Sequence, residues 1–228
     1  MMHEGPDLAR IGSLVGDPAR ASMLTALMSG SALTASELAM EAGVTLPTAS
    51  SHLTKLVDGS LLTVTSQGRH RYYALSGSDV AAMLEAIMGV AEIAGPKRVR
   101  PGPKDATMRE ARVCYDHLAG ERAVAMFEGF VAREILVLDG DRVDVGPGGA
   151  VFFQALGIDT DALRDRRRPA CRACLDWSVR RRHLAGTLGA AILDKIIAER
   201  WARREPGSRS VIFSPSGRIA FEKRLLPR

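Results

Sequence analysis

Soft-metal ligands are concentrated in the second half of this chain. All three cysteines lie there, with two histidines and two aspartates near them: Cys114, Asp116, His117, Cys171, Cys174, Asp176 and His183. Thiolate and imidazole groups bind zinc, cadmium, lead and trivalent arsenic because these ions prefer soft or borderline donors. The predicted sensing residues are Cys114, Cys171, Cys174, His117 and Asp176. No cofactor is fixed by the sequence, and a soft metal ion (Zn, Cd or Pb) or trivalent arsenic is the candidate.

Three interpretations of the cysteines stay open. They form a three-thiolate metal site, or two of them act as a redox switch, or all three are small buried residues, as free cysteines commonly are. The run Cys171-Arg172-Ala173-Cys174 follows several arginines, among them Arg168. This positive charge should lower the thiol pKa values. If the cysteines are structural, the apolar helix predicted over residues 184–197 can line a pocket for an organic inducer.

An enzyme is the competing class of function. The Cys-x-x-Cys motif points to a thiol oxidoreductase, but thioredoxin chemistry needs that motif after a strand in a β-α-β unit, and the sequence shows no such pattern. It also contains no Ser/His/Asp spacing, phosphate-binding loop or paired-carboxylate signature. We therefore expect a protein that is not an enzyme.

An internal repeat predicts how these ligands are positioned. His117-Leu118-Ala119-Gly120 recurs 66 residues later as His183-Leu184-Ala185-Gly186, and a cysteine and an aspartate precede each copy. Each histidine is expected to begin a helix, where a structural role is favoured over metal ligation. We predict a duplicated helix-hairpin-helix domain whose halves are each wing-like and pack on each other. Cys114 and Cys174 should then approach each other.

The region before residue 95 has the pattern of a winged helix-turn-helix. Residues 34–76 predict two short helices, a tight turn at Gly43, a third helix capped by Thr45 and a two-stranded hairpin. A helix that presents small polar residues suits the DNA major groove. The residues predicted to contact bases in the groove are Thr48, Ser50, Ser51, His52 and Lys55. Arg69 and Arg71 of the wing are predicted to contact the DNA backbone.

These residues carry a resemblance to a known family. The run from Gly43 to Leu56, with the wing from Gly68 to Leu75, resembles the arsenic-repressor (ArsR-type) bacterial transcription factors. The resemblance covers roughly residues 8–94 and implies a homodimer that binds operator DNA and is released by an inducer. Residues 37–41, which match the paired-cysteine position of that family, contain no cysteine, and residues 79–94 contain no His or Cys. Any sensing must therefore occur elsewhere in the chain.

Composition bounds the remaining expectations. The chain has 228 residues and a net charge of +5, yet residues 1–94 hold only five Lys and Arg against nine Asp and Glu. We predict a mostly α fold with small β-hairpins (α+β), formed by a winged helix-turn-helix domain (1–94), a Pro/Gly/basic linker (95–108) and a duplicated sensor domain (109–228). The odd number of cysteines and the absence of a signal-peptide pattern predict a cytoplasmic protein with no membrane partner. The expected activity is that of a homodimeric repressor on double-stranded operator DNA.

Overall fold

The structure, a computed structural model, describes residues 6–68, 70–94, 103–140, 142–164 and 168–226. The chain divides into two units, Met1–Leu84 and Glu85–Arg228. The second unit therefore begins earlier than the predicted boundary at residue 94. Most of the predicted linker, residues 95–102, lies outside the described residues, and its last residues enter a helix that begins at Ala106.

The first unit contains the predicted winged helix-turn-helix. Its elements are α1 (Leu8–Val15), α2 (Pro18–Leu27), β1 (Leu33–Thr34), α3 (Ala35–Ala42), α4 (Leu46–Asp58), β2 (Leu62–Gln67), β3 (His70–Leu75) and α5 (Ser78–Ala94), which continues into the second unit. The three strands form an antiparallel sheet in the order β1-β3-β2. Residues 34–76 thus hold two helices rather than the three expected, because the preceding helix, α2, ends before β1.

Local caps fix the turn between α3 and α4. Thr34 accepts a hydrogen bond from the backbone N–H of Glu37, and the Glu37 carboxylate accepts one from the backbone N–H of Thr34, which forms a capping box. Gly43 ends α3 with φ of 64°, a left-handed conformation that glycine adopts at least cost. Thr45 caps α4, as predicted. The turn therefore presents α4 at a defined angle to α3.

The second unit alternates short hairpins with helices. After α5 its elements are α6 (Ala106–Glu110), β4 (Arg112–Cys114), β5 (His117–Ala119), α7 (Glu121–Ala132), β6 (Leu136–Asp139), β7 (Arg142–Val145), α8 (Gly149–Ala155), α9 (Thr160–Arg164), β8 (Arg172–Leu175), β9 (Arg182–Ala185), α10 (Gly186–Ala198), β10 (Ala202–Arg204), β11 (Val211–Phe213) and α11 (Pro215–Leu225). Among the described residues, the order hairpin, helix, hairpin, helix therefore occurs twice, from β4 to α8 and from β8 to α11. The two repeated histidines were expected at the starts of helices. Both lie in strands instead, His117 in β5 and His183 in β9.

Helices and hairpins from both halves of this unit share one hydrophobic core. Helix α7 packs on β9, α10 packs on β5, and β5 lies beside β9. Buried side chains from both halves, such as Phe130, Phe153, Leu188 and Phe221, belong to a single cluster. Because each half packs its helix on a strand of the other half, the two strands that carry the histidines, β5 and β9, lie next to each other. That the halves are a true duplication stays a prediction.

The glycines of the repeated motif end β5 and β9 in a sharp turn into a helix. Gly120 has φ of 94° and Gly186 has φ of 88°. A Cβ atom would lie 2.7 Å from the Arg109 carbonyl oxygen at the first glycine and 2.6 Å from the Ala170 carbonyl oxygen at the second. Both positions therefore require glycine for conformation and for space.

None of the helices in the described part of the chain combines the length and the apolar character needed to cross a lipid bilayer.

Candidate metal centre and nucleic-acid interface

Four potential metal ligands meet in the second unit, and each of two hairpins supplies a pair. Cys114 on β4 lies directly across from His117 on β5, and Cys174 on β8 lies directly across from His183 on β9. Side chains of residues directly opposite each other in an antiparallel pair point to the same face. Each hairpin therefore presents one thiol and one imidazole together, and we call these four residues the Cys/His cluster.

The ligand atoms of the Cys/His cluster are close enough to share one ion. All four lie within 4.8 Å of one another. The Nε2 atoms of His117 and His183 are 3.2 Å apart, and their rings are stacked with centroids 5.1 Å apart. Both histidines and Cys114 are buried, and Cys174 is partly buried. The predicted approach of Cys114 and Cys174 is thus confirmed.

Hydrogen bonds polarise the cluster. The bond that Cys114 donates to Cys174, with further bonds from His117 and His183, lowers the pKa of the Cys174 thiol against the opposing effect of burial. The same bond, burial and the nearby Glu85 carboxylate raise the pKa of Cys114. Burial alone would lower the pKa of His117, but its bonds to Asp116 and Cys174 raise it to about 9. Of the two thiols in the cluster, Cys174 is therefore the one that the surrounding hydrogen bonds favour as a thiolate.

Each histidine of the cluster has an aspartate behind it. Asp116 Oδ1 lies 3.1 Å from His117 Nδ1, and Asp116 also pairs with Arg168. Asp176 Oδ2 lies 3.9 Å from His183 Nδ1, which has no hydrogen-bond partner although it is buried. A carboxylate behind the imidazole orients the ring and leaves Nε2 for an ion, as in carboxylate-histidine-metal triads.

Asp176 is held by a network of its own and is not among the four converging ligands. Its carboxylate accepts hydrogen bonds from Arg112 at 2.9 Å, from the backbone N–H of Gly120 at 2.7 Å and from the Ser178 hydroxyl at 2.7 Å. Burial opposes ionisation of Asp176, but the Arg112 guanidinium and the histidine His183 hold its pKa well below the usual value. Asp176, which directly follows β8, therefore ties the turn of the second hairpin to the first hairpin.

The donor set and its spacing fit a tetrahedral divalent metal ion. Two thiolates and two imidazoles at zinc bond lengths of about 2.0–2.3 Å place neighbouring ligand atoms roughly 3.3–3.8 Å apart. The two histidine nitrogens, 3.2 Å apart, are already close to this spacing, and the full spread of the cluster, up to 4.8 Å, needs only a small contraction to reach it. The unpartnered His183 Nδ1 beside Asp176 completes a second triad when its ring shifts slightly. The residues present therefore fit zinc or cadmium.

Cys171 lies outside the Cys/His cluster. It is partly exposed and lines a separate cavity with Arg164, Arg168 and Arg172. The expectation that neighbouring arginines lower its pKa is wrong, because burial raises the pKa of the Cys171 thiol to about 12 and outweighs the effect of Arg164. The structure does not bring three thiolates together.

The predicted groove-reading residues lie on α4, and most of them are exposed. Thr48, Ser50, Ser51 and Lys55 are open to solvent, while Ala49, Leu53 and Leu56 on the other face are buried. The buried stripe anchors the helix and leaves its polar face free for a partner. This arrangement matches a recognition helix.

His52 has a partner within the protein. Its Nδ1 atom lies 3.2 Å from the Arg20 guanidinium on α2, and Arg20 also donates to the backbone carbonyl oxygens of Ser13 and Leu14. Because a guanidinium only donates hydrogen bonds, Nδ1 of His52 is the acceptor in this contact. His52 therefore links α4 to α2 within the protein.

The wing is the hairpin of β2 and β3. Arg71 is exposed, with its guanidinium 5.6 Å from the centre of the Tyr73 ring. Arg69, the other predicted backbone contact, lies outside the described residues. The contacts of all these residues with DNA stay predictions.

Comparison with known proteins places the chain in a family. A helix-turn-helix domain model matches residues 15–65, which span α2 to β2. The chain is 42% identical over 220 residues to a Bacillus subtilis (strain 168) protein with the name "Uncharacterized HTH-type transcriptional regulator YdfF", and the match covers 96% of this chain and 97% of that protein. The chain belongs to the ArsR-type winged helix-turn-helix transcriptional regulators. It is thus a DNA-binding regulator and not an enzyme.

Three other similar proteins match less than half of this chain. The HTH-type transcriptional regulator CmtR of Mycobacterium tuberculosis (strain ATCC 25618 / H37Rv) is 36% identical over 83 residues, which cover 36% of this chain and 70% of that protein. The solved structure of the cadmium metal-sensor CMTR from M. tuberculosis aligns with 31% identity and a TM-score of 0.33, over 43% of this chain and 99% of that chain. A homodimeric winged helix-turn-helix domain of Mycobacterium bovis aligns with 26% identity and a TM-score of 0.37, over 42% and 87%.

The prediction from sequence did not include His183 among the sensing residues. It placed both repeated histidines at helix starts, where a ligand role is not expected, and it nominated Asp176 instead. The signal that finds His183 is the repeat itself: when Cys114 and His117 occupy facing positions of one hairpin, the equivalent pair in the second hairpin is Cys174 and His183.

Proposed function

We propose that this ArsR-type regulator is a homodimeric repressor that occupies operator DNA and leaves it when a soft divalent metal ion binds the Cys/His cluster. The observation that carries the proposal is the convergence of Cys114, His117, Cys174 and His183 within 4.8 Å. Soft thiolates with imidazoles favour zinc and cadmium over magnesium or calcium, which prefer oxygen ligands. Trivalent arsenic is less well matched, because only two of the three thiols are in the cluster.

Each residue of the cluster has a distinct part in binding the ion. Cys174 supplies the first negative charge, and Cys114 supplies the second when it loses its proton on binding. His117 and His183 present Nε2, and Asp116 holds the first ring in place through Nδ1. A bound ion supplies the attraction that draws the two hairpins together. Because all four positions are protein ligands, the site has no open position for catalysis, which accords with a sensor.

Release from DNA requires that the ion bind the two states of the protein unequally. A ligand shifts a conformational equilibrium only by its differential affinity for the two states. The ligand atoms of the Cys/His cluster are spread over up to 4.8 Å, which exceeds the roughly 3.3–3.8 Å between neighbouring ligand atoms around a tetrahedral zinc ion. Contraction of the cluster moves β4 and β8 together, and both strands belong to the unit that α5 enters. We propose that this movement reaches the winged domain through α5.

Dimerisation is proposed to use the apolar face of α5. Ile87, Val90 and Ile93 recur every three residues on that helix and are 41%, 65% and 69% exposed. Such a stripe on one helix suits pairing with the same helix of a second copy about a two-fold axis. Two-fold dimers that read two half-sites are the usual arrangement of helix-turn-helix proteins.

A structural zinc site is the second candidate for the cluster. Buried, closed sets of two cysteines and two histidines are typical of zinc that holds a small domain together. The two candidates differ in the metal-free protein. A structural site predicts that chelation unfolds the second unit, whereas a sensor keeps its fold and its DNA affinity.

Footprinting and metal titration test the proposal together. The metal-free full-length protein is incubated with DNA from upstream of its own gene, and protection is mapped before and after one equivalent of zinc or cadmium per protomer. We expect a two-fold symmetric footprint that the metal abolishes. We also expect the metal-free and the metal-loaded protein to give the same circular dichroism spectrum. Absence of any symmetric footprint contradicts the repressor, and a footprint that survives stoichiometric metal binding contradicts the sensor.

A further inference from the structure

A second candidate site is a cationic cavity of about 820 Å³ in the second unit. It lies between β7 and the segment that enters β8, with Arg164 at the end of α9. Four of its lining residues are arginines: Arg142, Arg164, Arg168 and Arg172. Asp144 is the single acid among the described residues that line it. Guanidinium groups match the paired oxygens of phosphate and carboxylate groups through bidentate hydrogen bonds.

The arginines already have acidic partners, and those partners are exchangeable. Arg142 pairs with Asp144 at 2.7 Å and Arg164 pairs with Asp161 at 3.5 Å, and all four side chains are more than half exposed. Arg168 pairs with the partly buried Asp116. Exposed ion pairs contribute little to stability, so a ligand anion can replace the carboxylate at little cost.

We propose that this cavity binds a small organic oxyanion, with a phosphate or carboxylate group on an apolar body. Its volume is within the range of about 300–1,000 Å³ that small-molecule sites occupy, and it exceeds what an inorganic ion fills. Val143, Val145, Pro169 and Ala170 supply apolar wall between the arginines. A recess of this kind suits an enclosed small molecule better than the convex phosphate backbone of DNA.

Arg168 links this cavity to the Cys/His cluster. It contacts Asp116, whose Oδ1 atom supports His117 Nδ1 at 3.1 Å. An anion that draws Arg168 away from Asp116 changes the charge behind His117. Binding of the anion and of the metal should therefore influence each other equally, since linkage between two sites is reciprocal. This coupling rests on the proposed metal function, whereas the anion site does not.

Calorimetry on the metal-free full-length protein tests the anion site. Phenyl phosphate and benzoate are the probes, because they carry the two candidate groups on one apolar ring. The variants are R168Q and R172Q, and R203Q is the matched control, since Arg203 is an exposed arginine of β10 that does not line the cavity. We expect one saturable site in the wild type and in R203Q, with affinity at least tenfold weaker in both cavity variants. Binding of phenyl phosphate alone assigns the site to phosphates, and binding of both probes assigns it to either group.

Three results overturn the proposal. Neither probe gives saturable binding, or R203Q loses as much affinity as R168Q and R172Q, or the cavity variants weaken DNA binding while the probes do not bind. A second titration measures zinc affinity with and without saturating phenyl phosphate. If phenyl phosphate leaves the zinc affinity unchanged, only the proposed coupling between the two sites is contradicted. If zinc does not bind at all while the anion still binds, only the proposed metal function is contradicted.

Discussion

At the scale of single residues, the Cys/His cluster depends on side chains that never touch an ion. Asp116 orients His117, and Asp176 joins the two hairpins through Arg112, which is fully buried. The histidines offer the proposed ligand nitrogens, and these carboxylates contact one of the rings and hold the two hairpins together. The residues behind the ligands are therefore as informative as the ligands.

Asp116→Asn should weaken zinc binding by about 10–100-fold, because loss of the carboxylate behind a ligand histidine reduces its basicity and its orientation. Competition with a chromophoric chelator measures the affinity. Asp161→Asn is the control, since Asp161 is an exposed partner of an arginine away from the cluster. Equal affinity of Asp116→Asn and wild type contradicts the role of Asp116.

Asp176→Asn should lower the free energy of unfolding by about 3–5 kcal/mol, because it leaves the buried Arg112 without its charged partner. Urea unfolding of the metal-free protein measures this effect. A direct metal ligand would instead leave metal-free stability nearly unchanged when replaced. If the free energy of unfolding changes by less than about 1 kcal/mol, the structural role of Asp176 is contradicted and the role of metal ligand that the sequence predicted is favoured.

At the scale of elements, much of the winged domain was predictable because its signals are local. Thr45, Gly43 and the alternating residues of β2 mark where elements begin and end, and each acts through its own backbone neighbours. The Cys/His cluster was harder to predict. Its pairing of Cys174 with His183 spans a turn of six residues, 176–181, and depends on strand register, which no short motif encodes. The sequence predicted only a DNA contact for His52. Its hydrogen bond to Arg20 was not predictable from a local pattern, because the two residues are 32 positions apart.

Ser51→Ala should reduce discrimination between operator and random DNA by about 1–3 kcal/mol, because an exposed hydroxyl on the recognition helix reads a base edge. Thr54→Ala is the matched control, since the Thr54 hydroxyl bonds to the Ser50 carbonyl oxygen of its own helix. Fluorescence anisotropy with both duplexes measures the affinities. Equal losses on operator and random DNA, or equal losses in both variants, contradict the assignment.

At the scale of the whole molecule, one helix runs from the winged helix-turn-helix unit into the unit that carries the Cys/His cluster. Helix α5 begins in the first unit and ends in the second, and its exposed face is the proposed dimer contact. In the proposed mechanism, a metal ion in the second unit influences half-site spacing without contacting DNA. The charges of the chain are also divided unevenly, with most of the basic residues after residue 94.

Val90→Asp should convert the dimer to a monomer, because it places a charge in the apolar stripe of α5. Sedimentation velocity at several concentrations measures the association state. Ile219→Asp is the matched control, since Ile219 on α11 is 67% exposed, close to the 65% of Val90, and lies outside the stripe. A dimer that persists in Val90→Asp, or one that Ile219→Asp dissolves equally, contradicts the α5 interface.

A cadmium titration of the DNA-bound protein, on the DNA found by footprinting, directly tests whether metal binding at the Cys/His cluster releases the protein from DNA. Wild type, Cys174→Ser and Cys171→Ser are compared, with anisotropy for DNA release and the cadmium-thiolate absorption band for occupancy. We expect one equivalent of cadmium per protomer to release wild type and Cys171→Ser from DNA, while Cys174→Ser stays bound to DNA at that concentration. Release of Cys174→Ser at the same cadmium concentration as wild type, or wild type that remains on DNA with its thiolates fully occupied, would contradict it.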